Sequence, residues 1–120
     1  MKNDPQLNRT KWEQMSEIER NSFIHKHVLS EDGEPLPYSS DYEAASWVRE
    51  KLGLLYDFDV AKRMDSNSEY EWSCFVRPKV ESLTASYEWG ASTPSEAVCL
   101  AAMHALGILT LDSANELRDK

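Results

Sequence analysis

Residues 70–77 read YEWSCFVR, and large or apolar side chains fall on every second position. These positions are Tyr70, Trp72, Cys74 and Val76. A period of two places alternate side chains on opposite faces of a β-strand, so this stretch predicts a strand with one face in the core. Phe75 is the exception, because it adds an aromatic ring to the face that otherwise carries polar residues.

The same two-fold alternation occurs on both sides of that strand. Residues 56–61 read YDFDVA, and residues 83–89 read LTASYEW. The polar turn at 65–68 and Pro78 separate the three stretches, which is typical of an antiparallel meander with one apolar and one polar face. The predicted core face of the sheet consists of Tyr56, Phe58, Val60, Trp72, Cys74, Val76, Leu83, Ala85 and Tyr87.

Three helix starts carry the same capping pattern, in which a Ser or Thr precedes a Glu by three residues. The capping residues are Ser16, Ser40 and Thr93. The first helix is predicted to run to about Leu29, and the second to end at Gly53. The apolar positions of the second helix are Ala44, Ala45, Trp47, Val48 and Leu52. We therefore predict an α+β fold of order α-α-β-β-β-α, a layered sandwich in which helices pack on a three-stranded antiparallel sheet.

The last predicted helix, residues 94–106, is apolar almost all round. Nine of the ten residues from 97 to 106 are apolar, which indicates burial on more than one side. A three-stranded sheet is only about 15 Å wide, so it covers one side of this helix. We predict that a second copy of the chain covers the rest in a two-fold homodimer, unless the first two helices and residues 108–111 complete the layer in a monomer. The candidate interface residues are Val98, Leu100 and Met103.

The length of 120 residues and the 41% hydrophobic content predict a single globular domain. Within it we expect an N-terminal extension at 1–15, a folded core at 16–111 and a polar tail at 112–120. The N-terminus lacks the apolar stretch of a signal peptide, and no apolar run reaches the roughly 20 residues that span a bilayer. These features favour a cytoplasmic protein with no membrane partner.

The charge distribution disfavours nucleic-acid binding. The formal net charge is −8, and residues 80–117 contain acids but no Lys or Arg. A negative surface repels phosphate and anionic membranes. We therefore predict no nucleic-acid partner. Acidic mimicry of a nucleic acid is a weak alternative, because basic residues interrupt the acidic ones over the first two thirds of the chain.

Cys74 and Cys99 both lie in apolar-patterned segments. We interpret them as small buried hydrophobic residues with free thiols, as expected in a reducing compartment. The sequence leaves a disulfide between them open, because only the distance between the two residues decides it.

No group of residues has the spacing of a catalytic, metal-binding or cofactor-binding motif, so we predict none of these sites. His25 and His27 lie two apart on a predicted helix and point in different directions. They are therefore unable to share a metal ion without ligands from elsewhere. We interpret the histidines as satisfied surface or boundary residues.

Asp57 and Asp59 share one face of a predicted strand, and we expect Glu71 across from them. Two or three carboxylates on a sheet are able to bind a divalent ion or to act as acid and base. The favoured interpretation is a solvated sheet face, balanced by Arg63 and Arg77. That face, or the acidic end of the molecule, is predicted to bind a partner, and the candidate residues are Asp57, Asp59, Glu71, Phe75, Arg77 and Glu88.

Three segments of the chain resemble the phage ABA-sandwich domain, a family of small phage proteins. They are FIHKHVL at 23–29, PYSSDYEAASWVREKL at 37–52 and ASTPSEAVCLAAMHAL at 91–106. The middle segment carries the most specific likeness, because Pro-Tyr-Ser-Ser-Asp leads there into a helix with Ala and Trp. The resemblance implies an antiparallel sheet flanked by helices and a phage genome of origin. The family has no established common activity and no catalytic motif to assign to this chain.

The predicted order of helix, three strands and helix is also similar to that of the double-stranded-RNA-binding domain. In that domain lysines at the start of the last helix bind phosphates across the grooves. This chain has Ser95, Glu96 and Val98 at those positions. A carboxylate in place of ammonium groups disfavours duplex RNA binding.

The sequence therefore favours a non-enzymatic phage accessory protein that binds a host protein, such as a defence factor that it inhibits. The alternative is a protein that binds or sequesters a small, nucleotide-like ligand, at a dimer interface or beneath the last helix. No motif carries either function, and likeness of fold is a weak guide to activity.

Overall fold

The computed structural model describes residues 7–62, 70–79 and 87–110. It confirms the α+β fold, in which helices pack against a three-stranded antiparallel sheet. No helix within these residues has the length and apolar composition needed to cross a membrane. In chain order the elements are β1 (Leu7–Asn8), α1 (Arg9–Gln14), α2 (Glu17–Phe23) with a π-helical continuation (Ile24–Val28), α3 (Tyr42–Leu52), β2 (Tyr56–Lys62), β3 (Trp72–Pro78), β4 (Tyr87–Ala91), α4 (Pro94–Ala105) and β5 (Leu109–Thr110).

Two of the three predicted helix caps, Ser16 and Thr93, are confirmed, and the predicted cap Ser40 is wrong by one residue. At the start of α2, Ser16 and Glu19 make both bonds of the capping box, at 3.1 and 2.8 Å. The cap of α3 is Asp41 rather than Ser40, since the Asp41 carboxylate accepts from the Glu43 N–H at 3.0 Å. The Ser40 hydroxyl instead donates to a carboxylate of α2 at 2.5 Å, which ties the two helices together.

The sheet has the strand order β2–β3–β4. Phe58 lies opposite Val76, and Cys74 lies opposite Trp89, so the register gathers the predicted apolar residues on one face. Cys74, Val76 and Trp89 are buried in the core. Three further residues of that face pack half-buried against it, namely Tyr56, Phe58 and Val60.

The opposite face of the sheet is exposed at its charged positions, although Ser73 on that face is buried. Asp57, Asp59 and Glu71 all point into solvent. The predicted core face is confirmed for Tyr56, Phe58, Val60, Cys74 and Val76, whereas Trp72 is half-buried and lies outside the core cluster. Leu83, Ala85 and the side chain of Tyr87 lie outside the part of the chain that the structure describes.

Helix α4 lies at the centre of the molecule, in contact with all three strands of the sheet and with α3. It also contacts β5 and the π-helical turn. Val98, Leu100 and Met103 consequently have no exposed surface. The prediction that they form an exposed dimer patch is wrong, because other elements of the same chain cover them. Self-association itself stays a prediction, but the apolar surface of α4 no longer supports it.

The core begins earlier than the predicted start at residue 16. Leu7 is 7% exposed and Trp12 is fully buried. Strand β1 pairs in parallel with β5, and Leu7 lies opposite Leu109. The predicted extension at 1–15 is therefore wrong from residue 7 onward, because its apolar side chains belong to the core cluster.

Both cysteines are free and buried, as predicted. Burial raises the pKa of the Cys74 thiol to about 12, although the nearby Arg49 guanidinium acts in the opposite direction. Burial also raises the pKa of the Cys99 thiol. Both thiols therefore stay protonated at neutral pH and behave as small apolar groups of the core.

Candidate functional site

The predicted partner-binding residues lie on the exposed outer face of the sheet. Phe75, at the middle of β3, lies opposite Asp59 on one side and Glu88 on the other. The Phe75 side chain is 40% exposed, and both of these neighbours are exposed carboxylates. Asp57 lies opposite Arg77 on the same face. The outer face is therefore a charged surface with one aromatic ring rather than an apolar patch.

Glu71 does not meet the two aspartates, so that part of the prediction is wrong. The register puts Asp59 opposite Phe75, which leaves Glu71 four positions further along, about 13 Å away at the usual rise of a strand. Asp57 instead lies 3.8 Å from the ammonium group of Lys79. Within the described residues, no group of three or more His, Cys, Asp or Glu side chains is placed to hold a metal ion.

A groove of about 400 Å³ runs between α3 and β2. We call it the α3–β2 groove. Its lining includes Ser46, Arg49, Glu50, Tyr56, Asp57 and Phe58. Because β2 has a neighbouring strand on one side only among the described strands, the groove opens onto main-chain groups at the edge of the sheet.

The pairing with β3 determines which main-chain groups of β2 face that edge. The Lys79 N–H donates to the Leu55 carbonyl at 2.9 Å, so this opposing pair is a hydrogen-bonded one. Opposing pairs in an antiparallel ladder alternate between bonded and non-bonded. The odd-numbered residues of β2 therefore bond to β3, and the main-chain groups at the free edge belong to Tyr56, Phe58, Val60 and Lys62.

Two cations line the groove: Lys79, which lies 3.8 Å from the Asp57 carboxylate, and Arg49. One arm of its guanidinium donates to the Tyr42 hydroxyl at 2.8 Å, and the other donates to the Phe58 carbonyl at 3.3 Å. Both acceptors are neutral, and the described residues place no carboxylate within ion-pair distance of Arg49. Arg49 is also half-buried, so its charge is less hydrated than that of a surface arginine.

Exposed large apolar side chains are concentrated in the part of the chain that includes α3. Five of the eight that are exposed in the described residues lie on α3 or in the segments before and after it. We call these five the α3 surface: Leu36, Tyr42, Trp47, Leu54 and Leu55. Leu36 and Trp47 also line a second hollow of about 350 Å³.

Trp47 was predicted from its spacing to lie in the core, and this is wrong. It is 41% exposed. The buried stripe of α3 is narrow and is filled by Ala44, Ala45 and Val48. The indole of Trp47 falls at the margin of that stripe, where the core has no room for it, and becomes part of the α3 surface.

The two histidines of the first helical segment diverge, as predicted. His25 is buried, with Nδ1 2.7 Å from the Tyr38 hydroxyl and Nε2 3.0 Å from the Asp32 carbonyl. Because a carbonyl only accepts, Nε2 carries the proton and Nδ1 accepts from the hydroxyl. The His27 ring instead packs against Phe23, with ring centres 4.6 Å apart. His25 therefore fastens the loop after the first helical segment.

Comparison with known proteins informs the fold. No family model matches this chain, and no curated protein matches it. A solved structure that is similar to it is the 2.0 Å crystal structure of a phage protein from Bacillus cereus ATCC 14579, with a TM-score of 0.64. The two proteins are 21% identical, and the match covers 80% of this chain and 92% of the other. At that level of identity the likeness shows a common fold.

Proposed function

We propose that this chain is a phage accessory protein that acts inside the host cell by binding a host protein at the α3 surface. Two likenesses support a phage origin: the segments that resemble the phage ABA-sandwich domain, and the fold shared with the Bacillus cereus phage protein. The observation that carries the binding role is the concentration of exposed apolar side chains around α3. Exposed apolar side chains that lie together, as Leu36 and Trp47 do along one hollow, mark surfaces that a partner covers.

The residue types of the α3 surface support this proposal. Tryptophan and tyrosine contribute most to the binding energy of protein interfaces, and Trp47 and Tyr42 are 41% and 39% exposed. The Tyr42 ring is held in place by the hydrogen bond from Arg49, so a partner loses little entropy in fixing it. Charged residues at the margin, such as Asp41 and Glu43, supply the polar rim of an interface.

The outer face of the sheet is a weaker candidate for the same role. A partner that covered Phe75 would also remove the carboxylates of Asp59 and Glu88 from water, which is costly unless each finds a cation. Carboxylates of Asp41 and Glu43 also line the hollow beside Trp47, but the α3 surface offers five exposed apolar side chains, whereas the outer face of the sheet offers the ring of Phe75. We therefore assign binding to the α3 surface and use Phe75 as the comparison.

Capture of host proteins with two matched variants tests this assignment. Trp47→Glu and Phe75→Glu each place a carboxylate at an aromatic position that is about two-fifths exposed. The tagged wild-type protein and both variants are expressed in the host, captured, and compared by quantitative mass spectrometry. We expect a host protein that is captured by the wild type and by Phe75→Glu but is lost with Trp47→Glu. Its loss with Phe75→Glu alone would assign binding to the sheet face instead.

Binding of a small anion is the second candidate function. The volume of the α3–β2 groove, about 400 Å³, falls within the range of small-ligand pockets, and Arg49 suits a phosphate or a carboxylate. The groove lies against α3 and β2 rather than beneath α4, where the sequence predicted such a ligand. Extraction of small molecules from the purified protein, followed by mass spectrometry, tests this candidate: a nucleotide recovered from the wild type and lost from Arg49→Gln would support it.

A further inference from the structure

We propose that the α3–β2 groove binds an extended peptide segment of the partner, which adds a strand to β2 and places one carboxylate on Arg49. This inference rests on the proposed function, because it specifies which part of the partner protein binds and how. It depends on three features of the groove: main chain on one wall that no described strand pairs, an arginine with no carboxylate of the described residues within ion-pair distance, and like charges that disfavour pairing with a second copy.

The main chain that no described strand pairs belongs to β2. This strand is seven residues long, which matches the length of an ordinary paired strand. Of its edge-facing residues, only Phe58 has a main-chain group bonded in the described structure, through the carbonyl that accepts from Arg49. Within residues 7–62, 70–79 and 87–110, no group bonds to the edge-facing N–H and C=O of Val60. An edge of this kind is the element to which extended peptides add in β-strand addition.

The opposite edge of the sheet, at β4, is contacted by a firmly held side chain in the region that is described. At β4, the Arg9 guanidinium donates to the Gly90 carbonyl and lies 4.4 Å from the ring centre of Tyr70 and 5.3 Å from that of Trp89. A side chain held between two rings is not easily displaced. On β2 the corresponding contact is a single bond of 3.3 Å between Arg49 and Phe58, at the long end of the range. The β2 edge is therefore the more accessible one.

Arg49 determines the chemistry of the peptide. A carboxylate is able to accept a charge-assisted hydrogen bond from the arm that now donates to Phe58, while the other arm keeps its bond to Tyr42. Such a bond is stronger than one to a neutral acceptor. When Arg49 turns to such a carboxylate, the Phe58 carbonyl is released to accept from a main-chain N–H of the incoming strand. Glu50 also lines the groove and repels a second acid. We therefore expect one acidic residue between neutral or apolar ones.

A second copy of this chain is a poorer occupant than a different peptide. Antiparallel pairing of β2 with its own copy has one register that uses all seven residues and two, centred on Phe58 and on Val60, that use five; the register centred on Val60 keeps like charges apart but leaves Tyr56 and Asp57 outside the pairing. The register centred on Asp59 places the two Asp59 carboxylates opposite each other, and the register centred on Phe58 places Asp57 opposite Asp59. Like charges directly opposite destabilise a strand pair. A neutral strand with one acid avoids this repulsion.

Peptide selection against the full chain tests the inference. Random twelve-residue peptides are selected on the purified protein, and the enriched ones are synthesised and measured by fluorescence anisotropy. We expect sequences with one Asp or Glu, whose binding weakens about tenfold when that residue becomes Asn or Gln, or when the protein carries Arg49→Gln. Combining both changes should cause little further loss. Arg77→Gln, which removes the same charge from the outer face, should leave binding unchanged.

The edge contacts are tested separately by hydrogen exchange in the wild-type protein, so this test does not require a variant to fold. In wild-type protein, peptide binding should slow hydrogen exchange at the amides of Phe58, Val60 and Lys62, as followed by NMR. Lys62→Pro, which removes an edge donor at an exposed position, should weaken binding, whereas Lys62→Ala should not. Arg49→Lys, which keeps the charge without the planar fork, should lie between wild type and Arg49→Gln.

Three results would overturn the inference. The first is that no peptide is selected, or that those selected bind equally well to Arg49→Gln. The second is protection of the β2 edge amides that grows with protein concentration alone, which would make a second copy the occupant. The third is that inorganic phosphate or a nucleotide shifts the NMR signals of Arg49, while no peptide slows hydrogen exchange at the edge amides of β2. If any of these occurs while host-protein capture still depends on Trp47, the peptide inference fails and the proposed function stands.

Discussion

The indole Nε1 of Trp12 donates a 2.7 Å hydrogen bond to the carboxylate of Glu96, which joins α1 to the first turn of α4. The Arg20 guanidinium lies 3.5 Å from that carboxylate and 4.8 Å from the centre of the Trp12 ring. The hydroxyl of Thr93 caps α4 by accepting from the Glu96 N–H at 3.2 Å. The Glu96 side chain is therefore used to hold the N-terminal segment against the central helix.

Trp12→Phe should lower the free energy of unfolding by about 1–3 kcal/mol. The Glu96 carboxylate then loses the indole donor and keeps Arg20, and loss of one partner of a partly buried polar group has a cost of that order. Urea unfolding followed by circular dichroism measures the change. Trp47→Phe is the matched control, and at its exposed position it should alter stability by no more than about 0.5 kcal/mol. Equal stability of the two variants would contradict a structural role for Trp12.

The stability of the protein should decrease below neutral pH partly through His104. Burial lowers the pKa of His104 below its ordinary value, and its Nδ1 accepts from the Trp89 indole at 2.5 Å. The unfolded chain therefore takes up this proton at a higher pH than the folded chain. The part of the free energy of unfolding that depends on neutral His104 is fully present above about pH 6.5, the ordinary pKa of histidine. It is lost as the pH falls from there toward the pKa of His104 in the folded state.

The free energy of unfolding at pH 7.5 and 5.5 isolates this effect when wild type is compared with His104→Asn. Asparagine keeps an acceptor for the Trp89 indole and does not titrate. We expect the wild type to lose more stability than His104→Asn between the two pH values. An identical loss in both proteins would mean that carboxylates alone account for the pH dependence.

Substitutions in α4 should act on folding rather than on assembly. Leu100→Ala should lower the free energy of unfolding by about 2–5 kcal/mol, because Leu100 is fully buried and its truncation opens a cavity in the core. Met103→Glu should prevent folding. Circular dichroism with analytical ultracentrifugation distinguishes the two effects. A folded monomer of Met103→Glu, obtained from a dimeric wild type, would contradict the placement of this helix.

The periodicity of the strands was the most informative signal in the sequence. The alternation around Cys74 and Val76 predicted the core face, and the Thr93-Pro94 start predicted the last helix, because both patterns depend on local geometry. The all-round apolar character of α4 predicted burial correctly. It left open whether the chain itself or a second copy covers the helix, since this depends on the packing of α3 and β5.

The remaining errors have physical causes that local patterns do not encode. Trp12 lies in a polar segment without periodicity, and its burial depends on Glu96, which is distant in sequence. Strands β1 and β5 are two residues each, too short for alternation to be detected. Trp47 shares the helical spacing of the core stripe but lies at its margin. The role that we propose for Arg49 depends on β2 being an edge strand. The strand order of the sheet determines this, and no local pattern encodes it.

We expect no binding of duplex DNA or RNA at physiological salt, at protein concentrations up to about 10 μM. The net charge of −8 opposes it. The start of α4 also offers no contact surface, because Ser95 and Val98 are buried and Glu96 is engaged by Trp12. Gel-shift titration at two salt concentrations measures this. A shifted band that weakens steeply with added salt would contradict the prediction.

Residue-resolved hydrogen exchange on the complex with the captured host protein tests the central claim most directly. Exchange at each amide is compared between the free chain and the complex. The account predicts slower exchange at Phe58, Val60 and Lys62 along the free edge of β2, with the indole N–H of Trp47 also protected. Unchanged exchange at these positions, with protection confined to β4 or to residues around Phe75, would contradict it.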